Sequence, residues 1–232
     1  MKKNILFIGG SSGIGLEAVK LLAADNNIFV ASRTSENLGE LEVRHYEFDV
    51  LKDSIEDLEL PATIDGFVYC PGSINLKPFK MLKPEVFEQE LQLNFISLIK
   101  TVQGIIPKLK NSEQASLIFF STVAVKIGMP FHTSVAASKG AIEGFAKALA
   151  AEYAPSFRVN VIAPSLTNTN LAKKLLSSED KIDKMNNRHP LKRVGEAHDI
   201  ANLTAFLLSD KSSWMTGQII GLDGGVSTLN IN

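Results

Sequence analysis

An apolar run, Ile5-Leu6-Phe7-Ile8, breaks into Gly9-Gly10-Ser11-Ser12-Gly13-Ile14-Gly15 and then into a helical pattern carrying Leu16, Val19, Leu21 and Leu22. No other feature of the 232 residues restricts the fold as strongly. A buried strand, a glycine turn and a helix, in that order, form the first crossing of a βαβ unit. Glycine permits positive φ and lets the backbone approach a ligand closely. The unpaired N–H groups at the start of the helix then favour an anion such as pyrophosphate. Gly9, Ser11, Ser12, Gly13, Ile14 and Gly15 are therefore candidate contacts to a dinucleotide. Glycine turns also follow strands that bind nothing, so the position at the first crossing carries the argument.

The rest of the chain repeats the alternation. Asn4–Ile8, Ile28–Ala31, His45–Phe48, Gly66–Cys70, Leu117–Phe120, Val159–Ile162 and Gln218–Gly221 read as strands. Several are apolar at successive positions, as strands buried on both faces of a parallel sheet are. Gly15–Ala24, Glu85–Leu109, Ala136–Tyr153 and Asp199–Leu208 read as helices, with apolar residues three and four apart. The expected fold is α/β: a Rossmann-type doubly wound parallel sheet with helices on both faces, one domain over 1–232. No repeat or Pro/Gly-rich linker divides it. The polar, weakly patterned stretch Thr167–His189 reads as an insertion over a site, a substrate loop.

Composition narrows the function. The formal net charge is -1, which does not suggest a nucleic-acid binder. Cys70 is the single cysteine, so there is no intrachain disulfide framework, and a reducing cytoplasmic setting is the simplest expectation. Met1-Lys2-Lys3 precedes an apolar run that stops at Gly9-Gly10, too short for a signal-peptide core. No apolar stretch approaches a membrane span. No metal site is expected.

The second strand bears on cofactor choice. Folds that prefer NAD place an acid near its end to bond the ribose 2′-OH, whereas a nearby arginine accommodates a 2′-phosphate. Here the strand ends Ala31-Ser32-Arg33-Thr34, without an acid. Arg33 offers a charge-assisted fork to a phosphate, with Ser32 beside it. NADP(H) is expected in preference to NAD(H), against the plainer reading of Arg33 as a solvated loop residue.

Taken together, these features resemble the short-chain dehydrogenase/reductase family over nearly the whole chain. Gly9-x-x-x-Gly13-Ile14-Gly15 is similar to that family's T-G-x-x-x-G-I-G, with Ile8 in place of the threonine. Asp49-Val50 resembles the pair that contacts adenine. Asn94 lies where the catalytic asparagine falls. Ser138-Lys139-Gly140-Ala141 matches the end of Y-x-x-S-K. Arg158-Val159-Asn160-Val161 and Pro164-Ser165 match the sixth strand and the turn after it. Thr169 falls where a threonine holds the nicotinamide carboxamide, with Thr167 beside it, and Asp223-Gly224-Gly225 matches the C-terminal turn. The family's N-N-A-G, part of its cofactor site, reads Tyr69-Cys70-Pro71-Gly72, so the resemblance counts Cys70 and Gly72 among the cofactor contacts although only the glycine survives, and Cys70 itself reads as a buried small hydrophobe.

The resemblance implies a tyrosine four residues before Lys139, and Val135 stands there. The implied serine position is Thr122. Ser121 is the less favoured alternative, since strand neighbours point to opposite faces. The implied catalytic set is thus Asn94, Thr122 and Lys139 without a phenolic acid. Three readings stay open. Another group donates the proton, with His132 the leading candidate, because enoyl reductases of the superfamily carry their tyrosine seven residues before the lysine. Or the substrate is an activated alkene, quinone or iminium that needs no protein acid. Or the chain is a non-catalytic NADP-binding sensor or scaffold. A pocket bounded by His132, Thr122 and 167–189 is expected for a catalyst acting on a small molecule. The resemblance also implies a homo-oligomer, tetramer or dimer, built on Ala136–Tyr153 and Glu85–Leu109, with Ala141, Ala148 and Ala151 allowing close approach. The segment around Trp214 and Asp223-Gly224-Gly225 is expected to form a second interface.

Overall fold

In the computed structural model, which describes residues 2–230, seven strands lie side by side in the order β3-β2-β1-β4-β5-β6-β9. Met1, Ile231 and Asn232, which the expected 1–232 domain includes, lie outside the described residues. The strands are β1 (Asn4–Ile8), β2 (Asn27–Ser32), β3 (Val43–Glu47), β4 (Gly66–Tyr69), β5 (Ala115–Phe120), β6 (Phe157–Pro164) and β9 (Ile219–Leu222). Every neighbouring pair is parallel. The central strands are apolar without alternation because helices cover both faces, and every residue of β4 and β5 is buried.

On one face α1 (Gly13–Leu22) and α7 (Ala197–Leu208) pack over Ile5, Phe7, Val68 and Ile118. On the other face, α2 (Pro84–Leu91), α3 (Ser97–Leu109) and α5 (Thr133–Tyr153) cover Leu6, Ile8, Phe67 and Phe119. Phe67 and Phe119 meet edge to face at 6.3 Å. Full burial of such a side chain contributes roughly 1.5–3 kcal/mol. Among the described residues no helix is long and apolar enough to cross a membrane.

The structure departs from the sequence reading at three places near the strand ends. The expected single helix over 85–109 is α2 and α3 joined by a π-turn at Gln92–Ile96, which carries Asn94. A short α4 (Val123–Ile127), which the sequence pattern does not mark, follows β5. Thr122 ends the strand by capping this helix, its hydroxyl accepting from the Ala124 N–H at 3.3 Å. The stretch 167–189 holds α6 (Glu179–Arg188), capped by Ser178 and with Glu179 and Asp180 in its first turn. β7 (Thr167–Asn168) pairs with β8 (Gly195–Glu196), so the excursion leaves and returns at one place.

Candidate active site

β1 sits between β2 and β4, so the chain winds one way from β1 to β3 and the other way from β4 onward. The crevice at such a reversal, beyond the carboxyl ends of the strands, is where doubly wound sheets bind ligands. The residues at those ends are the glycine loop after β1, Ser32-Arg33 after β2, Asp49-Val50 after β3, Cys70–Gly72 after β4, Thr122 after β5, and Pro164 at the end of β6.

The glycine loop is built for close approach. Gly9 has φ +79, in the left-handed region that glycine favours. A Cβ on Gly15 would lie 2.7 Å from the Gly9 carbonyl oxygen and 3.0 Å from Cys70 Sγ, so the turn and the following helix fit only without one. Ser12 occupies the N-cap of α1 but makes no side-chain cap. The first N–H groups of the helix are therefore open to an anion. Thr169, just after β7, packs on Gly13, with its Cγ2 3.5 Å from where a Cβ would be. That contact brings two sequence-distant cofactor candidates together. Burial pushes the Cys70 thiol up to about 12, which makes it an inert packing group.

At the adenosine end, Ser32 is buried and donates to the Thr34 carbonyl at 2.8 Å. Arg33 is exposed and, among the described residues, lies outside every ion pair. The Asp49 carboxyl is held below the usual range, first by the Leu51 N–H, with Lys52 and Arg33 adding their charges. Arg33 therefore lies within electrostatic reach of Asp49. Val50 is half-buried against the core.

The densest polar cluster lies at Gly72. A Cβ there would stand 3.3 Å from Lys139 Nζ and 3.4 Å from Asn94 Oδ1. Both atoms therefore look onto the same bare backbone. Lys139 is 7% exposed, and burial pushes its ammonium down to about 8, with the charge of Glu90 pulling the other way. Asn94 is fully buried and its Oδ1 has no partner within the chain. Its Nδ2 donates to the Glu90 carbonyl and to Glu90 Oε2, each at 2.9 Å, and lies 3.4 Å from Ser73 Oγ. An orphaned buried acceptor beside a buried ammonium needs a hydroxyl or a water from outside the chain. The hydroxyls of a nicotinamide ribose are of that chemistry, so the residues fit such a cofactor.

Val135 precedes Lys139 by one turn of α5 and is buried. The buried Ser138 hydroxyl donates to the Val135 carbonyl at 3.1 Å. The chain's tyrosines are engaged elsewhere. Tyr69 donates to the Leu93 carbonyl of the π-turn at 3.0 Å, Tyr46 donates to the Glu59 carbonyl, and Tyr153 stacks on Phe157. His132 is the N-cap residue of α5, and its Nδ1 lies 2.7 Å from the Pro130 carbonyl. A carbonyl only accepts, so Nδ1 carries the hydrogen and Nε2 is the nitrogen left open.

The space around Thr122 is not the one expected. Thr122 lines a cavity of about 370 Å³ together with Lys126, Glu143 and Asp223. Neither His132 nor any residue of 167–189 lines it. Ser121, buried behind Thr122, donates to Glu143 Oε1 at 2.5 Å, which leaves Thr122 as the hydroxyl facing open space. No sequence motif marks Glu90, Ser73, Glu143 or the buried His189, whose Nε2 lies 2.9 Å from Ser165 Oγ. Only Glu90 left a usable signal, standing four residues before Asn94 on one helix face.

Fold and site together place the protein in the doubly wound α/β class, with strand-end residues that fit a dinucleotide. Comparison with known proteins agrees. A family model described as enoyl-(acyl carrier protein) reductase matches residues 9–227. The chain is 30% identical to a 3-oxoacyl-[acyl-carrier-protein] reductase of Thermotoga maritima, with 97% of each chain covered. It is 31% identical to a tropinone reductase homolog of Datura stramonium, covering 95% of this chain and 90% of that one. A crystal structure of a short chain dehydrogenase family protein from Francisella tularensis superposes with a TM-score of 0.87 at 28% identity, covering 99% of this chain and 100% of that one. The chain belongs to the short-chain dehydrogenase/reductase family of oxidoreductases.

Proposed function

We propose that this protein is an NADP(H)-dependent oxidoreductase that moves hydride to or from a small carbonyl or activated alkene, with Val135 in the tyrosine position and Thr122 in the serine position. The observation that carries this reading is the pairing of Lys139 Nζ with the orphaned Asn94 Oδ1 on the face of Gly72, next to the glycine loop. The nicotinamide, when bound, supplies the hydride. The chain supplies position and charge. Gly9, Ser11, Ser12, Gly13, Ile14 and Gly15 hold the pyrophosphate. Arg33 and Ser32 take the 2′-phosphate, and Asp49 and Val50 border the adenine. Pro164, Thr167 and Thr169 hold the carboxamide end. Lys139 bonds the ribose hydroxyls and, with Asn94, lines a proton path. Thr122 polarises the substrate oxygen. His132 is the candidate donor, giving a proton from Nε2 when the ring carries one there as well as on Nδ1, and residues 167–189 form the substrate loop.

The similarity to acyl-carrier-protein reductases makes 3-oxoacyl and enoyl thioesters the first substrates to try, with ketones and quinones beside them. NADPH oxidation against that panel tests the reading. Absence of turnover with every class, together with intact NADPH binding, would instead support a sensor. Cofactor choice has its own test. Arg33→Ala is expected to weaken NADPH binding about 10- to 100-fold, the range of a lost charge-assisted hydrogen bond. Binding of NADH is expected to stay the same. Equal loss for both cofactors, or none, would remove Arg33 from phosphate recognition.

We further infer a homo-oligomer. Ala148 and Ala151 of α5 are exposed and small, and Trp214 is 99% exposed. Apolar groups of that kind are covered when subunits associate. Light scattering at micromolar concentration is expected to give a dimer or tetramer mass, and a monomer mass would refute it.

A further inference from the structure

Glu90 is an acid at 5% exposure, and the reaction as proposed gives it no task. A buried carboxylate is costly unless it is paired and hydrogen-bonded. Its Oε2 accepts from the Ser73 hydroxyl and from Asn94 Nδ2. Both hydrogens of the Asn94 amide thus go to Glu90, one to its carboxylate and one to its carbonyl. That settles which way the amide faces. Nδ2 turns toward Glu90, and Oδ1 turns toward Gly72 and the Lys139 ammonium. The second consequence is electrostatic. The ionisable groups facing Lys139 are Glu90 from α2 and Cys70 from the end of β4, and the thiol stays neutral. Ser73 and Asn94, which face Glu90, do not titrate in the neutral range. Position 135 of α5 offers valine and no acidic hydroxyl. Glu90 is therefore the one anion close to the buried ammonium among the described residues.

We propose that Glu90 is a positioning residue for the reaction: its carboxylate fixes the Asn94 amide, with Oδ1 turned to Gly72, and stands as the counter-charge to the Lys139 ammonium at the cofactor ribose. The part concerning the ribose rests on the NADP(H) reading above, while the hold of Glu90 on Asn94 and its charge near Lys139 do not. The carboxylate acts through Asn94 and Lys139 and touches neither substrate nor cofactor.

Glu90→Gln removes the charge and keeps an oxygen that can accept from Ser73 and Asn94. NADPH affinity is measured by fluorescence titration between pH 6.5 and 9.5. Affinity is expected to fall as Lys139 loses its proton, and the midpoint in Glu90→Gln is expected to lie roughly one pH unit below that of the wild type. Glu90→Asp, which keeps the charge, is expected to hold its midpoint closer to the wild type. A second measurement needs no cofactor. Urea unfolding of the wild type, Glu90→Gln, Lys139→Met and the double variant forms a double-mutant cycle. The midpoint shifts are expected to be non-additive at pH 7 and additive at pH 10, where Lys139 is neutral. Additivity at both pH values, or an unchanged NADPH midpoint in Glu90→Gln, overturns the proposal. A wild type that binds no NADPH would sink the proposed function instead, and the cycle would still decide whether Glu90 and Lys139 are coupled.

Discussion

Val135→Tyr is expected to raise the rate of NADPH-dependent ketone reduction by about 10²–10⁴, the usual worth of a positioned general acid. The substitution places a phenol one turn before Lys139 on α5, where the ammonium would lower its pKa. Nothing else at the site supplies such a group, because the hydroxyls of Tyr69, Tyr46 and Ser138 are engaged by backbone carbonyls. Val135 is 7% exposed, so the ring must displace neighbours. Overpacking of this kind costs about 1–3 kcal/mol, and a modest fall in melting temperature is expected with the gain in rate. Steady-state kinetics with the panel of ketones reads the outcome. His132→Ala in the wild-type background completes the experiment. If the Nε2 of His132 donates the native proton, kcat falls while NADPH affinity stays. An unaltered kcat in His132→Ala and no gain in Val135→Tyr would together mean that the native substrate needs no protein acid.

Lys139→Ala is expected to raise the NADPH dissociation constant about 10- to 100-fold at pH 7, since charged hydrogen bonds are worth about 1.5–3 kcal/mol. The loss is not expected to come from unfolding. The folded-state pKa of Lys139, about 8, lies below the ordinary lysine value. Between pH 8 and the unfolded value the unfolded chain binds more protons, so this group's contribution to stability rises with pH. Below pH 8 the buried ammonium is a penalty, and its removal relieves that penalty. Wild-type affinity is expected to decline as the pH rises through the range where Lys139 loses its proton, whereas the variant shows no such decline. Fluorescence titration across that range checks both. A dissociation constant unchanged from wild type would mean that the ribose is held by other groups.

Much of the molecule was legible in the chain itself, and the reason is local. Strand and helix announce themselves by period, and the main strands apart from β3 lie where apolar runs stand between turn residues, while β3, Val43–Glu47, is polar and half-buried. The glycine loop was legible because Gly9 and Gly15 answer demands of the backbone, a positive φ and a carbonyl 2.7 Å from a would-be Cβ. Lys139, Asn94 and Gly72 were legible only through family resemblance, since nothing local says that residues so far apart share one point. The short helix Val123–Ile127 carried no sequence signal of its own, because β-branched residues suit either state, and the cap at Thr122 decided for helix.

What the sequence by itself determined is the doubly wound sheet, the glycine loop at its first crossing, and valine at position 135. Tertiary structure decided the rest of the site. Ser121 is tied to Glu143 across 22 residues, and Ser73 to Glu90 across 17. The π-turn that seats Asn94 is fastened to β4 by Tyr69. Burial drives these pairings, because a polar group shut off from water must find a partner wherever the packed elements present one. Which partner that is depends on how α2, α5 and the ends of β4 and β5 meet, and no local pattern along the chain encodes that meeting.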